Sequence, residues 1–197
     1  MDPDRLSMDA ARYREYTYDR TGRHAKIVYF GLSYAGKISN LMALHSTIGN
    51  PQLAITRLHT EFENRVFWDG ITAVQADEPI RYHLYMIPGA VLFESAYVRL
   101  LMGVDGIIFV ADSNPERMQE NKRFLRMMED ILISLRTDRA HLPVVLQYNK
   151  RDLVNAVPID TMNIMLNQHQ WPVVESCAAH GTGVVETFRA MQALLAG

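Results

Sequence analysis

The chain has 197 residues, and its 20 basic and 22 acidic residues leave a net charge of -2. That balance offers no electrostatic footprint for nucleic acid or an anionic membrane surface. Hydrophobic residues make up 48%, enough for one substantial core and too many for a disordered chain. Cys177 is the single cysteine, so no intramolecular disulfide forms and a reducing compartment is expected. The longest apolar runs, such as 107–111, fall far short of the roughly 20 residues that span a bilayer. The opening Met1-Asp2-Pro3-Asp4-Arg5 lacks the apolar core of a signal peptide. A cytoplasmic protein without a transmembrane segment is therefore expected.

Residues 1–24 are polar and dotted with Tyr13, Tyr16 and Tyr18. They read as an arm preceding one domain over 25–197. Residues 25–30 read as a buried strand and 39–48 as a helix opening after a glycine-bearing loop. Residues 64–75 and 80–87 read as two antiparallel strands joined by a turn containing Asp77-Glu78-Pro79. The short apolar runs 107–111 and 144–148 have the character of strands covered on both faces. Asn114-Pro115 is an N-cap followed by proline at the first helical position. Leu125, Met128, Leu132 and Leu135 then recur at helical spacing, as do Val184, Phe188, Met191 and Leu195. Strands alternating with such helices imply right-handed crossovers in a doubly wound α/β domain. No internal repeat or linker interrupts it.

Two loops carry the chemistry. Gly31-Leu32-Ser33-Tyr34-Ala35-Gly36-Lys37 has the spacing of a phosphate-binding loop between strand and helix. In such a loop the backbone N–H groups converge on phosphate oxygens, the helix N-terminus adds positive potential, and the lysine bridges the outer phosphates. The next residue normally supplies a Mg²⁺-ligating hydroxyl, and here it is Ile38. The second loop is Asn149-Lys150-Arg151-Asp152, directly after the strand 144–148. A carboxylate placed there accepts two hydrogen bonds from the ring N–H and exocyclic amine of guanine. Adenine lacks that donor pair and would leave the carboxylate unsatisfied. Asn149 and Lys150 fix the loop and cover the base.

With Glu175-Ser176-Cys177-Ala178-Ala179 downstream, the chain resembles a Ras-superfamily small G protein, and within it the bacterial MglA family of polarity-switch GTPases. The shared stretches include His83-Leu84-Tyr85, Ile87-Pro88-Gly89, Gly103-Val104-Asp105-Gly106-Ile107 and Asn149-Lys150-Arg151-Asp152-Leu153. The resemblance implies a P-loop domain with a mostly parallel six-stranded sheet, one antiparallel edge strand and helices on both faces. It implies GTP or GDP as ligand, held at the phosphates by Gly31, Ala35, Gly36, Lys37, Ile38, Ser39 and Gly89. Asn149, Lys150, Asp152 and the backbone of Ala178 would contact guanine. Partners would be a roadblock-fold MglB-like regulator and effectors meeting the switch segments 53–68 and 88–101, with recruitment to a cell pole. Phe62, Phe67, Trp68, Phe93 and Tyr97 are anchors there if exposed and core if buried.

The departures from the family gather on hydrolysis. Ile38 replaces the metal-ligating hydroxyl, so Mg²⁺ would be held weakly, with Thr60 the remaining metal candidate. Ser39 points about 100° away around the helix and is no substitute. Ala90 stands where the family orients water with glutamine, and Asn64 where it places an internal arginine. No catalytic residue is assigned, and slow or absent GTP hydrolysis is expected. Two alternatives stay open: a working GTPase completed in trans by a roadblock-type partner, and a pseudo-GTPase scaffold that binds no nucleotide. A P-loop kinase or ATPase is disfavoured by Asn149–Asp152. The histidines show no metal-ligand spacing, His83 reads as a packed side chain, and Cys177 has no evident base partner.

Overall fold

Strand β1 (Arg23–Phe30) sends successive side chains to opposite faces of a sheet, and that alternation builds two cores. The computed structural model describes residues 23–48, 54–59, 66–74, 80–86, 94–138 and 141–197. The remaining strands are β2 (Ala54–His59), β3 (Val66–Val74), β4 (Ile80–Met86), β5 (Gly106–Asp112), β6 (Val144–Asn149) and β7 (Val173–Glu175). Helix α1 (Lys37–Ile48) follows β1, and α2 (Glu94–Leu101) follows β4. Helices α3 (Met118–Ser134), α4 (Ile159–Leu166) and α5 (Val184–Ala196) come later.

The strand order is β2-β3-β4-β1-β5-β6-β7. Strands β4, β1, β5, β6 and β7 pair in parallel, while β3 is antiparallel to both β2 and β4. The expected antiparallel pairing of the second and third sequence strands is present as β3 and β4. Among the described residues the sheet has seven strands rather than six, and its antiparallel strand lies one in from the edge. The added strand is β2, which falls inside the stretch assigned to a switch. Six residues of mixed polarity make no strand alone. The β3 partner supplies the pairing, with Ala54 opposite Thr72 and Ile55 opposite Ile71.

One face carries Val28, Phe30, Ile107, Phe109, Leu146 and Tyr148, covered by α2, α3 and α4. The other carries Ile27, Tyr29, Ile108, Val110 and Val145, covered by α1 and α5. The expected stripes supply the covering side chains. Leu125, Met128 and Leu132 are buried on α3, and Val184, Phe188 and Met191 on α5. Each such side chain is worth about 1.5–3 kcal/mol when fully withdrawn from water. Because β5 and β6 are buried along their whole length, their C-terminal ends are rigid platforms for the loops that follow.

Three boundaries differ from expectation. β1 starts at Arg23, within the stretch assigned to the arm, because pairing with β4 extends to Arg23 opposite Ile80. Helix α1 starts at Lys37, two residues early. Asn114 caps a single 3₁₀ turn (Pro115–Arg117) rather than α3 itself, its Oδ1 accepting from the Glu116 N–H at 3.0 Å.

Candidate functional site

The turn between β1 and α1 is shaped by close approach of the backbone. Gly31 has φ 141°, and a Cβ there would lie 2.3 Å from the Val110 carbonyl oxygen on β5. Gly36 has φ 103°, and its Cβ would meet Asn149 Nδ2 at 2.1 Å. Only glycine satisfies both demands at either position. Tyr34, also at positive φ (64°), is 81% exposed.

Lys37 is buried at the mouth of this turn. Its ammonium donates to the carbonyls of Gly31 at 2.9 Å and Leu32 at 2.7 Å. Desolvation lowers its pKa to about 8, a cost that an anion held at the turn would offset. Ile38, the next residue, is 49% exposed. Its side chain carries no oxygen, and Ser39 follows it around the first helical turn. Thr60 lies outside the described residues. The described part of the loop therefore fits a phosphate group but supplies no hydroxyl at the position that would hold Mg²⁺.

Asn149, at the end of β6, joins three loops. Its Nδ2 donates to the Ala35 carbonyl at 2.7 Å. Its Oδ1 accepts from the Ser176 hydroxyl at 3.0 Å and the Ala178 N–H at 2.9 Å. The N–H expected to meet a base carbonyl is thus turned onto Asn149. Lys150 sits at φ 65° and its ammonium reaches the buried Asp112 carboxylate at 2.6 Å. Asp112 also accepts from the Asn114 N–H at 3.0 Å.

Behind these loops lies a buried polar chain that no hydrophobic period reveals. Gln147, whose side chain leaves β6 on the α1–α5 side, donates to Asn40 Oδ1 at 2.7 Å and Thr187 Oγ1 at 2.8 Å. Asn40 in turn donates to the Gly36 carbonyl at 3.0 Å. Its sequence signal was a single polar residue inside an apolar strand, where a partner is obligatory. Arg117, from the 3₁₀ turn, adds a bond to the Ser33 carbonyl at 3.2 Å.

Asp152 is exposed and accepts a hydrogen bond from Cys177 Sγ at 3.0 Å. That thiol is the first reason its carboxyl is held below the usual range. Burial, then the same bond, pushes the Cys177 thiol up. His180 Nδ1 lies 3.2 Å from Sγ. The expectation that Cys177 has no evident base partner is corrected here, because His180 stands beside it. A bend after Cys177, closed by the bridge between Cys177 and Thr182, folds the imidazole back onto the thiol.

The structure thus gathers Gly31, Ala35, Gly36, Lys37, Ile38 and Ser39 on one loop and helix start, beside Asn149, Lys150, Asp152 and Ala178. Asn64, Gly89 and Ala90 lie outside the described residues, as do Phe62, Phe93 and the side chains of Phe67 and Trp68. Tyr97 is core rather than an exposed anchor, with ring centroids 5.5 Å from Phe30 and 6.1 Å from Phe124. His83 is packed, as expected, and stacks on His24.

A mostly parallel sheet with a phosphate-type loop after its first strand, tied to Asn-Lys-x-Asp at the end of β6, defines a P-loop small GTP-binding protein. The family model of the ADP-ribosylation factor family matches residues 16–195. The chain is 35% identical over 176 residues to the mutual gliding-motility protein MglA of Myxococcus xanthus (strain DK1622), covering 87% of this chain and 90% of that one. It is 29% identical over 141 residues to the small COPII coat GTPase SAR1 of Giardia intestinalis, covering 71% and 65%. The chain belongs to the ADP-ribosylation factor family, as an MglA-like small GTPase of the Ras superfamily. Among the described residues no helix is long and apolar enough to cross a membrane.

Proposed function

We propose that this protein is a guanine-nucleotide-binding switch or adaptor in cell polarity or motility, with slow or absent GTP hydrolysis. The observation that carries the reading is Asn149, which hydrogen-bonds the phosphate-type loop at Ala35 and the base-side loop at Ser176 and Ala178. One side chain thereby sets the distance between a phosphate cradle and a base reader. Gly31, Gly36 and the buried Lys37 would receive the phosphates. Asp152 would read the guanine N–H pair, with Lys150 covering the base and Ala178 N–H shared between Asn149 and the base carbonyl.

Binding and turnover separate on the same residues. Ile38 supplies no oxygen to a metal, Ala90 has no group to orient water, and Asn64 stands at the internal-arginine position. An arginine finger alone is worth roughly 10³–10⁵ in rate, so its loss together with the other two would leave hydrolysis near or below the slow intrinsic level. Regulation would then come from partners, namely a roadblock-fold MglB-like regulator and effectors at 53–68 and 88–101. The likeness to MglA over most of both chains supports this partner class. Mass analysis of nucleotide released on denaturation, with GTP and ATP competing for reloading, tests the reading. Bound GDP or GTP that ATP fails to displace is expected. An empty protein that cannot be loaded would leave a pure scaffold. Rapid turnover without a partner would refute the hydrolysis claim, and turnover only with a roadblock partner would favour the enzyme completed in trans.

A further inference from the structure

Asp152, Cys177 and His180 bring a carboxylate, a thiol and an imidazole to one point, with all three donor atoms within 4.8 Å of one another. Sγ is 3.0 Å from the Asp152 carboxylate and 3.2 Å from His180 Nδ1. Ligands of a tetrahedral zinc ion, bound at about 2.0–2.3 Å, stand roughly 3.5 Å apart. The two separations at Sγ fall within about half an ångström of that spacing, and the carboxylate and imidazole lie inside 4.8 Å of one another. The set is also chemically selective. Thiolate with imidazole suits Zn²⁺ and disfavours Mg²⁺ and Ca²⁺, which take oxygen donors.

The backbone holds the three groups independently of any ion. Cys177 and Thr182 exchange two backbone hydrogen bonds, at 3.0 and 3.2 Å. His180 N–H donates to the Cys177 carbonyl at 3.0 Å, and Gly181 closes the turn at φ 77°. On the other side Arg151 N–H donates to the Ser176 carbonyl at 3.0 Å, anchoring the Asp152 loop to the Cys177 loop. Cys177 is buried while Asp152 and His180 face solvent. Three protein donors and an open fourth side is the form of an exchangeable rather than a closed structural site.

We propose that Asp152, Cys177 and His180 bind a thiophilic divalent cation of the Zn²⁺ type, and that this ion and a guanine base exclude one another by competing for Asp152. The ion displaces the thiol proton to solvent and takes the carboxylate that a base would need. The exclusion rests on Asp152 reading guanine, whereas the metal site stands on its own geometry. Zinc would thereby empty the nucleotide pocket through its base end, leaving the phosphate loop untouched.

The test uses the full chain. Titration with Co²⁺ is followed by the near-ultraviolet thiolate-to-metal charge-transfer band, and Zn²⁺ affinity is measured by displacing the Co²⁺. A one-to-one band in the wild type is expected, absent in Cys177→Ser. His180→Ala should weaken Zn²⁺ by at least about tenfold, since even an outer-shell loss costs 10–100-fold. No band in the folded wild type, or Zn²⁺ binding that survives both substitutions unchanged, overturns the site. In a second arm, the GDP dissociation constant is measured with and without Zn²⁺. Its rise in the wild type should shrink by at least about tenfold in His180→Ala at the same Zn²⁺ concentration, which separates base-site competition from zinc held by the nucleotide's phosphates. Equal rises in both proteins overturn the exclusion. A protein that binds Co²⁺ through Cys177 but takes no guanine nucleotide keeps the site and removes the exclusion together with the nucleotide reading.

Discussion

Replacing Asn149 by alanine removes three hydrogen bonds among buried groups at once. The Ala35 carbonyl, the Ser176 hydroxyl and the Ala178 N–H all lose their partner, and all three residues are buried. At about 1 kcal/mol net for each bond the loss is about 3 kcal/mol, before any further cost of leaving buried groups unsatisfied. For a protein of this size that lowers the melting temperature by roughly 6–12 °C. The three bonds also position the nucleotide loops relative to one another, so GDP affinity falls by up to about 100-fold for the same free energy. Chemical denaturation without nucleotide gives the first quantity and fluorescent-GDP titration the second. Ser176→Ala cuts one of the three bonds and should cost about 1 kcal/mol. A loss under about 1 kcal/mol for Asn149→Ala, or equal losses for the two variants, would refute the hub described here.

Gly36→Ala places a methyl group into Asn149 Nδ2 and forces alanine to φ 103°. It should destabilise the protein by about 1–3 kcal/mol from overpacking alone, measured as a shift in denaturation midpoint. Lys37 has a folded-state pKa of about 8 against an ordinary 10.5. Between those values the unfolded chain binds more protons, so wild-type stability should rise with pH relative to Lys37→Met and level off outside the window. A flat difference across it would contradict the buried cation, and the same variant should lose nucleotide binding. Ile38→Thr restores an oxygen at the exposed start of α1 and should tighten binding of GTP in the presence of Mg²⁺ while leaving metal-free binding unchanged. Equal affinities with and without Mg²⁺ would remove Ile38 from the explanation.

The sequence by itself determined the class of fold and the identity of the two loops. Gly31, Gly36, Lys37 and Asn149–Asp152 are legible because each demand is local, whether a positive φ, a helix start or a strand end. The apolar stripes of α3 and α5 are legible for the same reason, since period alone states which face is buried. Tertiary structure alone decided the strand status of β2, which depends on a partner across a hairpin and not on its own six residues. It also decided the core placement of Tyr97, fixed by Phe30 and Phe124 from two other elements. The hub role of Asn149 and the Gln147–Asn40–Thr187 chain likewise emerge only in three dimensions. Their partners lie up to 114 residues away in the chain, and a polar residue in an apolar strand announces that it needs a partner without naming it. The meeting of Asp152, Cys177 and His180 is of the same kind. Nothing in a lone cysteine predicts the neighbours that a closed bend and an adjacent loop bring to it.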